Sequence, residues 1–475
     1  MSEVTLRMRV LRTSPRNWLG AAAGRGAFML LAAVAIAVLK RILAIVVLFG
    51  PAAAIPAYAQ AVSTEEAVGI HAQTTFVVQG NTAFRASYDG PNSLHRRGEA
   101  RETFDLTLYA GASPWRGGEL WANPEIDQGF GIGNTTGAAG FPSGEAYKVG
   151  KASPYVRLQR LFFRQTIGLG GADEKVDADL NQLRMRRDTD RLVLTIGKFS
   201  IGDIFDANAY AHDPRGDFLN WTLIEGGAFD YAADAWGYTI GAAAELYRGR
   251  WAIRTGLFNL SDVPNSERLE RNFSQYQLVG EIEERHSIGG HPGKLRLTGW
   301  ASHGKMARLD DALAAAPPGS GPDPASVRRP TTRAGVLLGM EQEIAPNLGA
   351  FARVSLADDR FESFEFTDVD RSLSGGVVLG GERWGRDGDR LGLGIANNCI
   401  GTSRKRFLAA GGLGILVGDG ALPHPGSEQA AELWYDLRLL KKLHVTADAQ
   451  LIDHPGYNRD RGPAPVLALR LHAQL

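Results

Sequence analysis

Leu443-His444-Val445-Thr446-Ala447-Asp448-Ala449-Gln450-Leu451 decides the fold. Its odd positions are apolar and its even positions polar, and a period of two sends one set of side chains to each face of a strand. Alternation sustained over this length and closed by turn residues suits a strand that crosses a bilayer with oil on one face and water on the other. Strands of soluble sandwiches also alternate, but they are commonly shorter.

The pattern recurs in both directions from there. At the C-terminus Leu467, Leu469, Leu471, Ala473 and Leu475 alternate with Ala468, Arg470, His472 and Gln474. Leu433, Tyr435, Leu437 and Leu439 alternate with Glu432, Trp434, Asp436 and Arg438, and Ala334, Val336, Leu338 and Met340 run against Arg333, Glu341 and Glu343. A further match is Trp236, Tyr238, Ile240, Ala242, Ala244 and Leu246. Trp236, Trp251 and Tyr435 fall on the lipid phase, which predicts places in the interfacial aromatic girdles.

Connections alternate in length. Short turns are expected near Ser113-Pro114-Trp115, Arg248-Gly249, Ala345-Pro346-Asn347, Gly385-Arg386-Asp387-Gly388 and Lys441-Lys442. Long loops are expected over about 128–155, 305–330, 359–370, 401–427 and 453–463. Short turns at the periplasmic rim and long loops outside are the habit of outer-membrane barrels. Parity then settles an ambiguous stretch: although 218–231 looks partly strand-like, the alternation survives only if 200–234 is one outer loop. The count is about sixteen strands. The linker-like run Ala316-Pro317-Pro318-Gly319-Ser320-Gly321-Pro322 falls within a long loop and marks no domain boundary.

Composition agrees. Of 475 residues 58 are glycine, above the usual roughly 7 per cent, and hydrophobic content is 44%. Fifty-two basic and 52 acidic residues cancel, leaving no global field to attract nucleic acid. A lone cysteine, Cys399, gives neither a disulfide framework nor a cysteine metal cluster. Arg7 to Arg41 followed by the apolar run 42–49 and Ala57-Tyr58-Ala59 predicts a signal peptide over 1–59, cleaved before Gln60. The alternative, a membrane anchor, is weakened by Lys40 and Arg41 splitting the apolar run. No later stretch is apolar enough for a membrane helix, so a mature chain entering a membrane must close into a barrel. The expected fold is therefore all-β, a transmembrane antiparallel β-barrel of about 16 strands with long extracellular loops behind a cleaved signal peptide, the barrel domain covering 60–475.

A barrel of this size is too wide for its own side chains to fill, so loops folded inward set the bore. Two loops are candidates: one holds Gly129-Phe130-Gly131-Ile132-Gly133-Asn134 and ends near Tyr147, and the other supplies Phe205, Asp206, Asn208, Tyr210, Asn220 and Trp221. Loops that merely cover the rim are the alternative. Alternation points Glu119, Trp121, Asn123, Glu125 and Asp127 into the lumen, with Arg160, Arg164, Arg254, Arg296 and Arg353 opposing them. Arginines that donate and carboxylates that accept suit a polyol, and aromatic rings cover its C–H faces. A purely structural charge network is the competing reading.

Catalysis has little support. No G-x-S-x-G elbow or Walker loop occurs, Glu281 and Glu283 share one strand face, and His286 and His291 have no third ligand nearby. Neither metal nor cofactor is expected. The rivals are a general or anion-preferring porin, a lipase-like barrel enzyme and a soluble secreted β protein.

The segment Gly197-Lys198-Phe199, with 205–210, Phe218-Leu219-Asn220 and 229–234, and the later Glu432-Leu433-Trp434-Tyr435 and His454-Pro455-Gly456-Tyr457-Asn458, resembles the carbohydrate-selective porin (OprB) family. The likeness runs from about Gln73 to the end. It implies a sixteen-stranded barrel, often trimeric, in the outer membrane, with passive diffusion of sugars such as glucose to the periplasm. One departure is Leu475 at the end, where such barrels commonly carry an aromatic residue.

Overall fold

The computed structural model describes residues 65–475, so the expected leader and its cleavage point before Gln60 lie outside the described residues. Sixteen strands among the described residues follow one another around a closed barrel, each antiparallel to its neighbours. They are β1 (Val68–Asn81), β2 (Glu99–Ala112), β3 (Gly118–Gly129), β4 (Lys151–Val176), β5 (Met185–Phe199), β6 (Thr239–Arg248), β7 (Trp251–Asn259) and β8 (Tyr276–Ile288). The circuit continues with β9 (His291–Met306), β10 (Arg329–Ala345), β11 (Leu348–Ala357), β12 (Arg371–Gly380), β13 (Arg390–Cys399), β14 (Glu428–Leu440), β15 (Leu443–Asp453) and β16 (Ala464–Gln474). Closure comes from β16 lying against β1, with Leu471 opposite Phe76. A sheet closed in this way leaves no unpaired edge, the condition for a sheet to sit in hydrocarbon.

The two faces are chemically opposite. Outward positions of successive strands expose Leu338, Leu373, Ile395, Leu433 and Leu451, while inward neighbours such as Ser374, Glu432 and Gln450 are buried. One rim carries the short turns that join β6 to β7, β8 to β9, β10 to β11 and β14 to β15. The other carries every long loop: 82–98, 130–150, 200–238, 260–275, 307–328, 358–370, 400–427 and 454–463. Residues 200–238 are a single loop without a crossing, as parity required; it holds a 3-10 turn (Ile201–Asp203) and the short α-helix α1 (Trp221–Ile224). Two further short helices, α2 (Leu309–Ala315) and α3 (Thr402–Ala409), also sit in long loops.

Loop 200–238 folds into the barrel and builds an aromatic core against the inner wall. Phe205 meets Phe258 edge-on at 5.9 Å, Phe218 meets Trp434 at 5.5 Å and Phe229 meets Trp300 at 4.7 Å. Inward glycines make room for the large rings: a methyl group on Gly335 would lie 2.1 Å from the Trp300 indole, and one on Gly392 2.3 Å from that of Trp434.

Trp236 corrects the strand expectation. β6 begins only at Thr239, because Gly237 adopts a φ of +96° and ends the extended run. Trp236 is buried instead of lipid-facing; its indole N–H donates to the Tyr155 hydroxyl at 2.9 Å and the Arg157 guanidinium lies 3.4 Å over the ring. Trp251 does remain 43% exposed on the outer face. Tyr435 sits at the short-turn rim, where Trp384 donates to its hydroxyl at 3.1 Å.

Candidate functional site: a channel beside an inward loop

The inner wall from β7 round to β16 holds the inward loops with opposite charges facing matching backbone groups. Glu432 accepts from the Leu219 and Asn220 N–H groups at 2.6 and 2.8 Å, Glu281 from Asp206 N–H at 2.9 Å, and Glu341 from Ala209 N–H at 2.9 Å. Glu428 holds the neighbouring loop 130–150 through the N–H groups of Ala139 and Gly140, at 2.9 and 2.7 Å. Arginines serve the carbonyls: Arg353 donates to Leu223 O at 2.9 Å and Ala211 O at 2.8 Å, and pairs with Asp206 at 2.8 Å. Arg470 donates to Pro214 O at 2.5 Å and Asp217 O at 2.8 Å. Charged acceptors and donors make stronger hydrogen bonds than neutral ones, and burial strengthens them further.

Several residues singled out in the sequence belong to this side. Arg254 pairs with Glu281 at 2.6 Å, and Arg296 with Glu283 and Glu341 at 2.9 Å each. Phe205 is wholly buried, Asp206 is clamped by Arg353, Asn208 donates to Met340 O at 3.3 Å, and Tyr210 lies over Gly349. Asn220 caps α1 through Thr222 N–H at 3.1 Å and donates to Gly140 O at 3.0 Å. The structure therefore places Arg353 and most of the loop residues in the contact between loop and wall, with Arg254 and Arg296 pairing with the wall glutamates that hold the loop.

The opposite side, β1 to β6, is left open. A cavity of about 560 Å³ runs there, lined among others by Glu119, Arg160, Arg164 and Trp221 from the sequence-derived set. β4 presents its arginines through a bulge: Asn123 pairs with Arg160 and Pro124 with Leu158, so Gln159 is an extra residue that resets the inward phase. Pro124, which has no N–H to give the ladder, sits at that irregularity. Arg160 grips Asp203 of the inward loop in a two-point clamp, at 2.6 and 2.8 Å, and Arg164 reaches Glu119 at 3.2 Å. Glu125 accepts from Thr107, Tyr147 and Gln159 at 2.5, 2.9 and 3.0 Å, and Gln159 reaches Asp127 at 3.3 Å. Trp121 is fully buried in the wall and donates to Glu119 at 3.3 Å, so it backs the lining and does not border the cavity. Asn123 is fully buried, with both amide atoms unpartnered among the described residues.

Sequence reasoning missed much of the lining. Arg215 of the inward loop stands 3.6 Å from each of Asp105, Glu125 and Glu145, a guanidinium among three carboxylates. Arg187 and Arg191 of β5 also line the cavity, with Tyr109, Tyr147, Tyr231, Tyr238 and Tyr247. In 185–191 charges occupy both strand phases, so alternation gave no way to choose the inward ones. Tyr238, on the apolar phase of the expected strand, turns inward with Trp236, while Tyr109 and Tyr247 give no signal because a lone tyrosine fits either face of a barrel wall.

Three further lining residues hold a buried, unpartnered polar atom. Trp221 Nε1, His212 Nδ1 and Glu225 Oε2 have no partner among the described residues, and all three side chains border the cavity. Burial and the neighbouring Asp206 push the Glu225 carboxyl well above the ordinary range, against the pull of Arg353. The neutral acid, which can donate as well as accept, is thereby favoured. Phe141 of loop 130–150 stacks on Trp221 at 5.1 Å and 16°, fixing the ring that borders the cavity.

A family model described as carbohydrate-selective porin, OprB family, matches residues 92–475. The chain is similar in fold to Pseudomonas putida OprB, at 16% identity and a TM-score of 0.63, over 86% of this chain and 94% of that one. The outer membrane channel DcaP of Acinetobacter baumannii aligns at 10% identity and a TM-score of 0.46, over 86% of this chain and 97% of that one. No curated protein matches the sequence.

Proposed function

Because the chain belongs to the OprB family of carbohydrate-selective porins, and is thus an outer-membrane channel for small solutes and not an enzyme, we propose that neutral sugars of glucose size pass through the β1–β6 side of its lumen. The observation that carries this reading is the balance of the lining. Each arginine on the path faces a carboxylate: Arg160 faces Asp203, Arg164 faces Glu119, Arg187 and Arg191 share Glu174, and Arg215 faces Asp105, Glu125 and Glu145. A lumen so compensated offers an ion little net attraction, whereas a polyol finds donors and acceptors at short intervals. Trp221, His212 and Glu225 add aromatic and polar surface along the same cavity. Glu119, Arg160, Arg164 and Trp221 are the proposed solute contacts from the sequence; Trp121, Asn123, Glu125 and Asp127 support them from behind. The pairing argues against the anion-preferring reading, since unpaired arginines would be needed for a strong anion field.

Liposome swelling tests the proposal. Glucose entry should outpace that of a size-matched charged sugar, and Trp221→Phe, which removes only the indole N–H and some ring area, should slow glucose without lowering KCl conductance. Equal loss for both solutes, or loss for neither, rejects the sugar path. A trimeric assembly is proposed on family likeness alone, with mass measurement in detergent as its test. Export with cleavage before Gln60 is likewise a proposal, which N-terminal sequencing of the outer-membrane form decides.

A further inference from the structure

β4 is 26 residues long and β5 15, and their shared ladder continues to Val176 opposite Met185. Neither keeps its other neighbour that far: β3 leaves β4 at Gln165 and β6 leaves β5 at Arg191. The hairpin between them therefore projects past the periplasmic rim. At its root the register shifts twice, between Gly168 and Gly170 and between Gly170 and Asp173, where Gly170 and Gly171 take φ of +99° and +85°. Positive φ at two successive glycines lets the ribbon bend where an ordinary residue would hold it straight.

The tip, 177–184, turns back beneath the mouth and is tied to three strands. The Glu66 N–H donates to Arg184 O at 2.8 Å, beside β1, and the Leu183 N–H to Glu119 of β3 at 3.2 Å. Arg164 donates to Asn181 O at 3.0 Å, and Gln474 of β16 to Asp179 at 3.0 Å. Leu183 is fully buried against Gly69, where a methyl group would lie 2.8 Å from it. Leu180, Asn181, Gln182 and Met185 line the same cavity as Arg160 and Trp221.

We propose that this hairpin tip is a second, exit-side constriction, and that Leu180, Gln182 and Met185 determine which solutes leave by size, independently of the inward loop above. The inference rests on the cavity being the solute path. It differs from the usual picture of a single narrowing, because the chain here invests a periplasmic ribbon in the same opening.

The test is single-channel conductance in KCl with Gln182→Cys in a Cys399→Ser background. Labelling with a bulky methanethiosulfonate reagent from the periplasmic side should cut conductance by about half, reversibly on reduction. Unchanged conductance at complete labelling overturns the proposal. A second variant joins Gly168 to Arg191 through Asn-Gly, removing the ribbon; it should raise conductance and admit trisaccharides that the intact protein excludes, and an unaltered size limit also overturns it. Both readouts use ions or size, so a failure of the sugar preference leaves them interpretable, and a failure here leaves the Trp221 result standing.

Discussion

Arg160 and Asp203 meet across the open lumen, β4 to inward loop, with both carboxylate oxygens engaged at 2.6 and 2.8 Å. This pair is one of several ion pairs that join loop and wall on the cavity side, with Arg215 to Asp105 and Glu125 and with Asp234 to Arg157 and Lys198. The Asp203 carboxylate also accepts from Ser200 N–H at 3.0 Å, so the loop presents it in a fixed position.

Arg160→Ala should leave Asp203 as a lone negative charge beside the path. A unit charge about 4 Å from an ion in a watery lumen is worth about 1 kcal/mol, roughly fivefold in local ion concentration. The reversal potential in a KCl gradient should move toward cation preference by about that ratio. Asp203→Asn should move it the opposite way, and a common direction for both variants would refute the pairing.

Arg353 is a fully buried loop clamp, and Arg353→Met strips partners from Asp206 and from the Leu223 and Ala211 carbonyls together. Breaking a buried pair from one side costs about 3–5 kcal/mol. The variant should unfold at lower temperature in detergent and show noisy, enlarged conductance as the loop leaves the wall. Asp206→Asn in the same chain should recover part of the loss, since no carboxylate is then left unpaired.

Glu225 gives a pH dependence of definite sign. Its carboxyl lies well above the ordinary value of 4.5 in the folded protein, because burial and Asp206 disfavour the anion. The stability it supports is full below the unfolded value and is lost as pH rises through the folded one. Melting temperatures of the wild type should therefore fall on going upward from about that ordinary value, and Glu225→Gln, neutral throughout, should flatten this part of the profile. A profile identical in both proteins would show that Glu225 is ionised in the fold.

Gly392→Ala places a methyl group 2.3 Å from the Trp434 indole, which is itself held edge-on by Phe218. Overpacking of this kind typically costs about 1–3 kcal/mol. Thermal unfolding should report a loss of that order, and Trp434→Phe in the same chain should relieve it.

The barrel was legible because its rule is strict. A period of two read from 443–451 cannot slip by one residue without exchanging oil and water, and that constraint carried the strand count and the single outer loop expected over 200–234. Legibility stopped where the backbone leaves the rule. Trp236 kept the phase of β6 on paper, yet Gly237 turns the chain and sends the indole inward. Arg160 and Arg164 could be placed on the polar phase of β4, but alternation says only that a charge faces inward. Whether it lines the cavity, as at Arg164, or meets a loop carbonyl, as at Arg353, depends on where 200–238 comes to rest. That resting place is set by contacts hundreds of residues apart, such as Glu432 with Leu219.

The loop's seating on one half of the barrel has an evolutionary consequence. Substitutions at cavity-lining positions that touch no loop residue should change what is admitted without unseating the loop, while those on the clamped sector should endanger assembly before they alter permeation. Descendants of this scaffold should therefore diverge in appetite by drifting at the tyrosine and arginine positions of the first six strands, and keep their glutamate cradle nearly frozen.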